Sequence, residues 1–234
     1  MAIVPERQIL DKAASSALTE HTGCVSADHL RIYYGLSPEF WQSLGEKGRA
    51  MYALVRPTPQ ASYRVDVSLH RLRAWVDEAH EQHLSLGGGV ELCPDFQRGH
   101  VWTEAQRTAF CEAFLRGQAP AALLFNCANF TGRGGGGDLP EHLLQCVDGL
   151  QRYTALTDFY DNRVSVFGGM QRRDFDGTPF DARRLRVEVR VHELPWRRDL
   201  LELYLNLNGG GTVHSDQELA RVRALLEQAG HPTA

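Results

Sequence analysis

Three short segments carry the residue types that phosphate chemistry uses. The first, Pro94-Asp95-Phe96-Gln97-Arg98-Gly99-His100-Val101-Trp102, holds an amide, a guanidinium and an indole in close succession. The second, Val147-Asp148-Gly149-Leu150-Gln151-Arg152, sets a carboxylate a helical turn ahead of a guanidinium. The third, Asn206-Leu207-Asn208-Gly209-Gly210-Gly211, precedes Ser215 and the Glu218-Leu219 pair. Guanidinium forks make bidentate contacts to phosphate oxygens, so Arg98 and Arg152 are candidate phosphate clamps. A carboxylate beside them, Asp148, is suited to hold Mg²⁺ or to orient an attacking hydroxyl. Gln97, Gln151 and Asn208 carry amides that can hydrogen-bond ribose, base or water.

Each segment also has a plainer structural reading. Asp148-x-x-Gln151 and Ser215-x-x-Glu218 both fit a helix capping box, and Gly149 fits a tight turn. Arg98 and Arg152 fit surface residues paired with carboxylates, and Trp102 fits a core residue. The glycine run TGRGGGGD (131–138) lacks the Lys-Ser/Thr of a P-loop and reads as a mobile loop. His80-x-x-His83 has the wrong spacing for two zinc ligands on one helix face and reads as part of a solvated face. Gly-x-Ser-x-Gly is absent. No feature points to a Cys-His catalytic pair.

The elements that must position these residues alternate between helix and strand. Residues 1–58 read as helical, with an amphipathic stretch near 5–19 and one helix over 38–55 opened by Ser37 as N-cap and Pro38 as first helical residue. Pro57 and Pro59 then punctuate the chain. From residue 61 the pattern is mixed. A strand from Tyr63 to Val67 leads to Ser68 and a helix with Leu69, Leu72, Trp75 and Val76 on one face. Gly87-Gly88-Gly89 ends that helix before a brief strand from Val90 to Cys93. Thr103-Glu104-Ala105-Gln106 is a capping box that opens a helix carrying Ala109, Phe110, Ala113 and Phe114. Gly117 closes this helix and Pro120 blocks its continuation. Strands follow at Ala121 to Asn126 and His142 to Val147, and a helix then runs to about Tyr160. Leu185 to Val191 alternates as a half-buried strand does. Helices at Leu200 to Leu207 and from Ser215 to Glu227 complete the chain. The expected organisation is a helical N-terminal extension over 1–60 and an α/β (α+β) domain over 61–234.

Composition sets the outer bounds. With 43% hydrophobic and 23% charged residues the 234-residue chain is of globular type, not disordered, collagen-like or coiled-coil. No apolar run of membrane-spanning length and no signal-peptide core is present in the sequence, so a cytoplasmic location is expected, without a membrane partner. The 5 cysteines form no C-x-x-C pair, which points to reduced thiols rather than a zinc knuckle or a disulfide framework. A net charge of −4 excludes a strongly basic nucleic-acid binder but leaves room for a local patch. Of the 25 basic residues only Lys12 and Lys47 are lysine. Eight arginines between Gly168 and Arg198 (172, 173, 183, 184, 186, 190, 197 and 198) face five acids, a mild stripe in which Arg186 and Arg190 are candidate DNA contacts. The same stripe also reads as a salt-bridged solvent face.

In order and spacing the three segments resemble the N-terminal domain of GmrSD-type modification-dependent restriction systems, within the ParB/sulfiredoxin-like superfamily. The matching residues are Pro94, Phe96, Gln97, Arg98 and Trp102; Asp148, Gly149, Gln151 and Arg152; and Asn208, Gly210, Glu218 and Leu219. The resemblance spans about residues 61–225. It implies a ParB/sulfiredoxin-like core, a small mixed sheet with flanking helices. It also implies that a nucleoside triphosphate (ATP, GTP or CTP) binds with Mg²⁺ and is hydrolysed through the Asp-Gly-x-Gln-Arg motif. Gly149 and Gly210 join the nucleotide-binding set on that basis. Leu150 stands where the family has a glutamine. The chain ends at Ala234, so a fused nuclease domain is not expected.

Three functions stay open at this level. The first is a nucleotide-dependent phosphohydrolase or phosphotransferase acting on, or gated by, plain or base-modified DNA. Its transferase form is a DNA kinase. The second is a nucleotide-binding sensor that recruits a separate nuclease partner in a bacterial or phage-infected cell. The third, a stand-alone metal-dependent nuclease, needs more clustered carboxylates than Asp148 alone provides, with Asp95 and Glu218 as the available additions.

Overall fold

The computed structural model describes residues 31–229, apart from 32, 56, 98, 100, 133–135 and 209–215. The chain divides into two compact units, Ala61–Leu226 and a smaller one of Met1–Gln60 with Glu227–Ala234. In the smaller unit Ser37 caps helix α1 (Pro38–Ser43), its hydroxyl accepting from Phe40 N at 3.2 Å. The single helix expected over 38–55 is instead two. Gly45 adopts φ +61°, a left-handed conformation that stops α1 after Leu44 and restarts the chain as α2 (Gly45–Val55). The amphipathic stretch near 5–19 lies outside the described residues.

From residue 61 the chain runs β1 (Tyr63–Ser68), a 3₁₀ turn (Leu69–Arg71), α3 (Leu72–Leu84), β2 (Gly89–Glu91), α4 (Glu104–Leu115), β3 (Ala122–Asn126), β4 (Leu143–Asp148), α5 (Leu150–Tyr160), a second 3₁₀ turn (Arg172–Phe175), β5 (Arg186–His192), α6 (Arg197–Asn208) and α7 (Asp216–Gln228), and all but the last two residues of α7 belong to the larger unit. It is a mixed α/β fold, as the alternation predicts. The five strands lie in the order β1-β5-β3-β4-β2. β5 runs antiparallel to β1 and parallel to β3, while β4 is antiparallel to β3 and parallel to β2.

The residue pattern explains the layers. On β5, Val187, Val189 and Val191 are fully buried, whereas Arg186, Glu188 and Arg190 occupy the other face. The valines join Leu123 and Phe125 of β3 and Leu144 and Cys146 of β4 in one core. α4 adds Cys111, Phe114 and Leu115, and α5 adds Ala155, Leu156 and Phe159. α6 packs on β4, with Leu200, Leu201, Leu203 and Tyr204 buried. The Thr103 capping box forms as expected: its hydroxyl accepts from Gln106 N at 3.3 Å, and Gln106 Oε1 accepts from Thr103 N at 2.9 Å.

Three local expectations are corrected. The helix expected after Ser68 begins as a 3₁₀ turn, and the Ser68 hydroxyl bonds His70 Nδ1 at 2.9 Å. β2 is shorter than expected, ending at Glu91 where its pairing with β4 stops. His83 is not on a solvated face. It is buried at 4% exposure, stacked on Phe130 with ring centroids 5.6 Å apart, and burial holds its imidazole below the ordinary histidine value.

Of the glycine-rich loop, residues 131, 132 and 136–138 are described, and its return is fastened. Leu139 N donates to Pro195 O at 3.1 Å, and Asp138 accepts from Arg197 N at 2.7 Å at the start of α6. A Cβ at Gly137 would come within 1.9 Å of Pro195 O, so this crossing admits only glycine. Cys93, Cys111, Cys127 and Cys146 are free thiols. Among the described residues, no helix is long and apolar enough to cross a membrane.

Candidate functional site

The β4–α5 junction is built around Gly149. Its φ of +111° turns the chain from strand into helix, and a Cβ there would meet Leu123 Cδ2 at 2.7 Å and Ala122 O at 3.2 Å. This close approach ends β4 at Asp148 and starts α5 without a side-chain cap. The capping-box alternative for Asp148 and Gln151 is therefore not what forms. Asp148 instead pairs with Arg152 one turn into α5. Their side chains are 35% and 16% exposed, so the pair is half-buried with its carboxylate toward water. Leu150, which stands where a polar residue was expected from the resemblance, is only 3% exposed and belongs to the core.

A cleft of about 310 Å³ opens at this junction. Its lining gathers Gln97, Asp148, Gly149, Gln151, Arg152 and Asn208, which come from all three segments singled out in the sequence. Its apolar wall is made by Trp102, Phe110, Pro120 and Tyr204. Trp102 and Phe110 pack with ring centroids 5.2 Å apart. Phe96 meets Tyr204 edge-on at 5.3 Å and so seats the first segment against α6. Asp95 reinforces that seat: its carboxylate takes Arg197 Nη2 at 2.6 Å, and its carbonyl accepts from Arg221.

The two glutamines spend their amides on backbone. Gln97 Nε2 donates to Cys146 O and Val147 O, both at 3.0 Å. Gln151 Nε2 donates to Gly99 O at 2.9 Å, while its Oε1 accepts from Val101 N at 3.1 Å and Trp102 N at 3.2 Å. Asn208, the last residue of α6, donates to Tyr204 O at 2.7 Å. Beneath the cleft, burial pushes the Cys146 thiol up to about 12, and the negative charge of Asp148 adds to the shift. The protein's thiol at this site is thus inert at neutral pH.

Arg98 and Gly210 lie outside the described residues, as does the Glu218 side chain. The other candidates line the cleft, with the exception of Arg186 and Arg190 on β5. Arg190 pairs with Glu188 at 2.5 Å, which holds that carboxyl below its usual range. Arg186 donates to Arg183 O at 2.8 Å and has no carboxylate partner among the described residues. Five of the eight arginines in the basic stripe, 172, 183, 190, 197 and 198, sit in ion pairs. Much of the stripe's charge is therefore offset. Phe110 and Tyr204 were not singled out as site residues. In sequence they are apolar positions on amphipathic helices, indistinguishable from core.

Among the described residues, Asp148 is the one carboxylate in the cleft lining. Among the described residues no three His, Cys, Asp or Glu side chains form a cage for a cation. Mg²⁺ that arrives with a nucleotide needs only one or two protein carboxylates, because phosphate oxygens and water complete its shell. The donor set fits that mode and not a resident protein-held metal.

A family model described as the GmrSD restriction endonuclease N-terminal domain matches residues 84–208, just over half of the chain. The matched stretch includes β2 through α6 and every described residue of the cleft lining. No curated protein and no solved structure matches.

Proposed function

The chain belongs to the family of GmrSD restriction endonuclease N-terminal domains, and from that premise we propose that its cleft binds a nucleoside triphosphate and turns it over by phosphoryl transfer. The family ties the protein to modification-dependent restriction; the nucleotide chemistry is the reading that the cleft favours. The observation that carries it is the convergence of Asp148, Arg152 and Asn208 with an aromatic wall, at the carboxyl end of β4 and the uncapped start of α5. Ligands of α/β folds bind at such strand ends, and phosphate groups satisfy the free N–H groups of a helix start.

The roles follow from the groups. A base lies against Trp102 and Phe110. Arg152 offers its guanidinium to the phosphates and leaves its pairing with Asp148 as they arrive, since a phosphate brings more charge than the carboxylate it displaces. Asp148, once freed, is placed to accept a proton from an attacking water or hydroxyl. Mg²⁺ bound with the nucleotide would supply charge neutralisation at the phosphates; Asp148 is its protein ligand in the alternative to the role of base. Arg98 is the second guanidinium of the motif. DNA, plain or base-modified, is the proposed partner or acceptor. Arg186 is the stronger candidate for its phosphates because the charge of Arg190 is offset by Glu188.

One observation favours a second reading. The only carboxylate in the cleft among the described residues is already held by Arg152, which suits a sensor that binds nucleotide without turning it over and passes the signal to a nuclease partner. A nuclease acting alone has less support, because the Asp95 carboxylate is engaged by Arg197 and does not line the cleft.

The test follows the γ-phosphate. Labelled ATP, GTP and CTP are incubated with Mg²⁺, with and without plain or hydroxymethylated DNA, for wild type, Asp148→Ala and Arg152→Ala. Label released as free phosphate supports a hydrolase, and label on DNA a kinase. Binding that is lost in Arg152→Ala, without any turnover, supports the sensor. No nucleotide binding by the wild type refutes the proposal.

A further inference from the structure

The segment Gln97–Trp102 and the β4–α5 junction hold one another through two side-chain amides that point in opposite directions along the same interface. Gln97 reaches from the segment to the carbonyls of Cys146 and Val147 at the end of β4. Gln151 reaches back from the first turn of α5 to Gly99, Val101 and Trp102. A primary amide has two N–H donors and one oxygen with two lone pairs. Gln151 has both lone pairs committed and one N–H left. Gln97 has both N–H groups committed to main-chain carbonyls. The Gln151 oxygen and the Gln97 nitrogen are thus spent on main chain, which leaves one Gln151 N–H and the Gln97 oxygen uncommitted.

What these bonds secure is the wall of the cleft. Val101 and Trp102 precede the N-cap of α4, and neither backbone N–H belongs to a strand or a helix. The Gln151 oxygen is the partner of both. Trp102 carries its indole into the cleft lining beside Phe110, and Val101 is exposed at 47% with little packing to hold it. Without Gln151, three main-chain groups next to the cleft would be left to water.

We propose that Gln151 is a positioning residue: it fixes the main chain at Gly99, Val101 and Trp102 so that the Trp102 indole is held in place to receive the base, and it acts through that main chain rather than through the ligand. The inference rests on the reading of the cleft as a nucleotide site. It assigns to the motif's glutamine a mechanical part and leaves Arg152, Asp148 and Asn208 as the polar groups that meet the nucleotide.

The test compares wild type, Gln151→Met and Gln151→Glu. Two quantities are read: amide hydrogen exchange at Val101 and Trp102 in ligand-free protein, and affinity for a non-hydrolysable nucleoside triphosphate analogue with Mg²⁺. Gln151→Met keeps the length and removes all three bonds. It should speed exchange at both amides by about fivefold, the worth of a typical hydrogen bond, and weaken analogue binding. In Gln151→Glu the protonated acid can donate to Gly99 O and still accept from both N–H groups. Compared with wild type at the same pH, its affinity should come closest below about pH 4, where an ordinary glutamate is protonated, and fall behind as the carboxyl ionises, because the carboxylate cannot donate to Gly99. Weaker binding in Gln151→Met with exchange unchanged would mean that Gln151 touches the ligand, and would overturn the positioning role. Faster exchange with affinity unchanged would overturn it as well. A wild type that binds no analogue would overturn the nucleotide reading and the positioning role with it; the wild-type control separates this outcome from the other two.

Discussion

Replacing Gly149 by alanine tests the geometry on which the cleft depends. Two costs add. The residue sits at φ +111°, and a left-handed conformation costs a residue with a Cβ about 1–2 kcal/mol. The new methyl would also stand 2.7 Å from Leu123 Cδ2 and 3.2 Å from Ala122 O. Leu123 is 1% exposed in the middle of the core, so its side chain has nowhere to go. Overpacking of this kind costs about 1–3 kcal/mol. The sum, about 2–5 kcal/mol, is a large fraction of the ~5–15 kcal/mol that stabilises a domain. Gly117→Ala is the control: φ is +69° there, but no atom lies within 4 Å of the added carbon, so only the backbone term of about 1–2 kcal/mol applies. Urea unfolding of both variants should give a lower midpoint for Gly149→Ala than for Gly117→Ala at unchanged slope. Equal midpoints would refute the argument that close packing against β3, and not backbone conformation alone, reserves position 149 for glycine.

Other outcomes follow from the same structure. Thr103→Ala breaks the capping box of α4 and should cost about 1 kcal/mol, a drop of roughly 2–4 °C in Tm by calorimetry. Asp181 is held below the usual carboxylate range by hydrogen bonds from the Arg183 side chain, and then by the backbone N–H groups of Arg183 and Gly177. A lowered pKa means stability that is present above the ordinary carboxyl value and lost as pH falls below it. Asp181→Asn should therefore flatten the Tm profile below about pH 4. Burial pushes the thiols of Cys111 and Cys146 up to about 12 and that of Cys127 up to about 11. Iodoacetamide labelling at pH 8 followed by peptide mass spectrometry should thus find Cys93 modified and these three untouched in the native protein.

The sequence makes the α/β alternation legible wherever burial has a period. The valines of β5 and the Thr103 box are local signals, and both elements form where they point. The chain from 161 to 184 shows no period. Its 3₁₀ turn and the Val166–Met170 bridge are held by contacts such as Phe159 with Phe175, which no spacing announces. His83 looks like a solvent residue because Phe130, which covers it, is far away in the chain. At the site, residue types alone were enough to pick segments that do meet in space. They could not show that Gln97 and Gln151 spend their amides on backbone, since that follows from how the 97–102 segment folds back on β4. Nor could they separate Phe110 and Tyr204 from ordinary core.

The order of strands bears on how the chain is made. β5 lies between β1 and β3, yet it is the last strand in sequence. Until Arg186–His192 has left the ribosome, β1 has no neighbour and β3 is open along one side. Both then present unpaired backbone of the kind that recruits other chains. Synthesis thus passes through a stage in which the chain up to residue 185 is made and its sheet is still in two pieces. The valine-rich β5 closes it in one step, so truncations before residue 186 should accumulate as aggregates rather than as smaller folded forms. The cleft is drawn from segments on either side of that step, and it becomes complete only when α6 follows β5 into place.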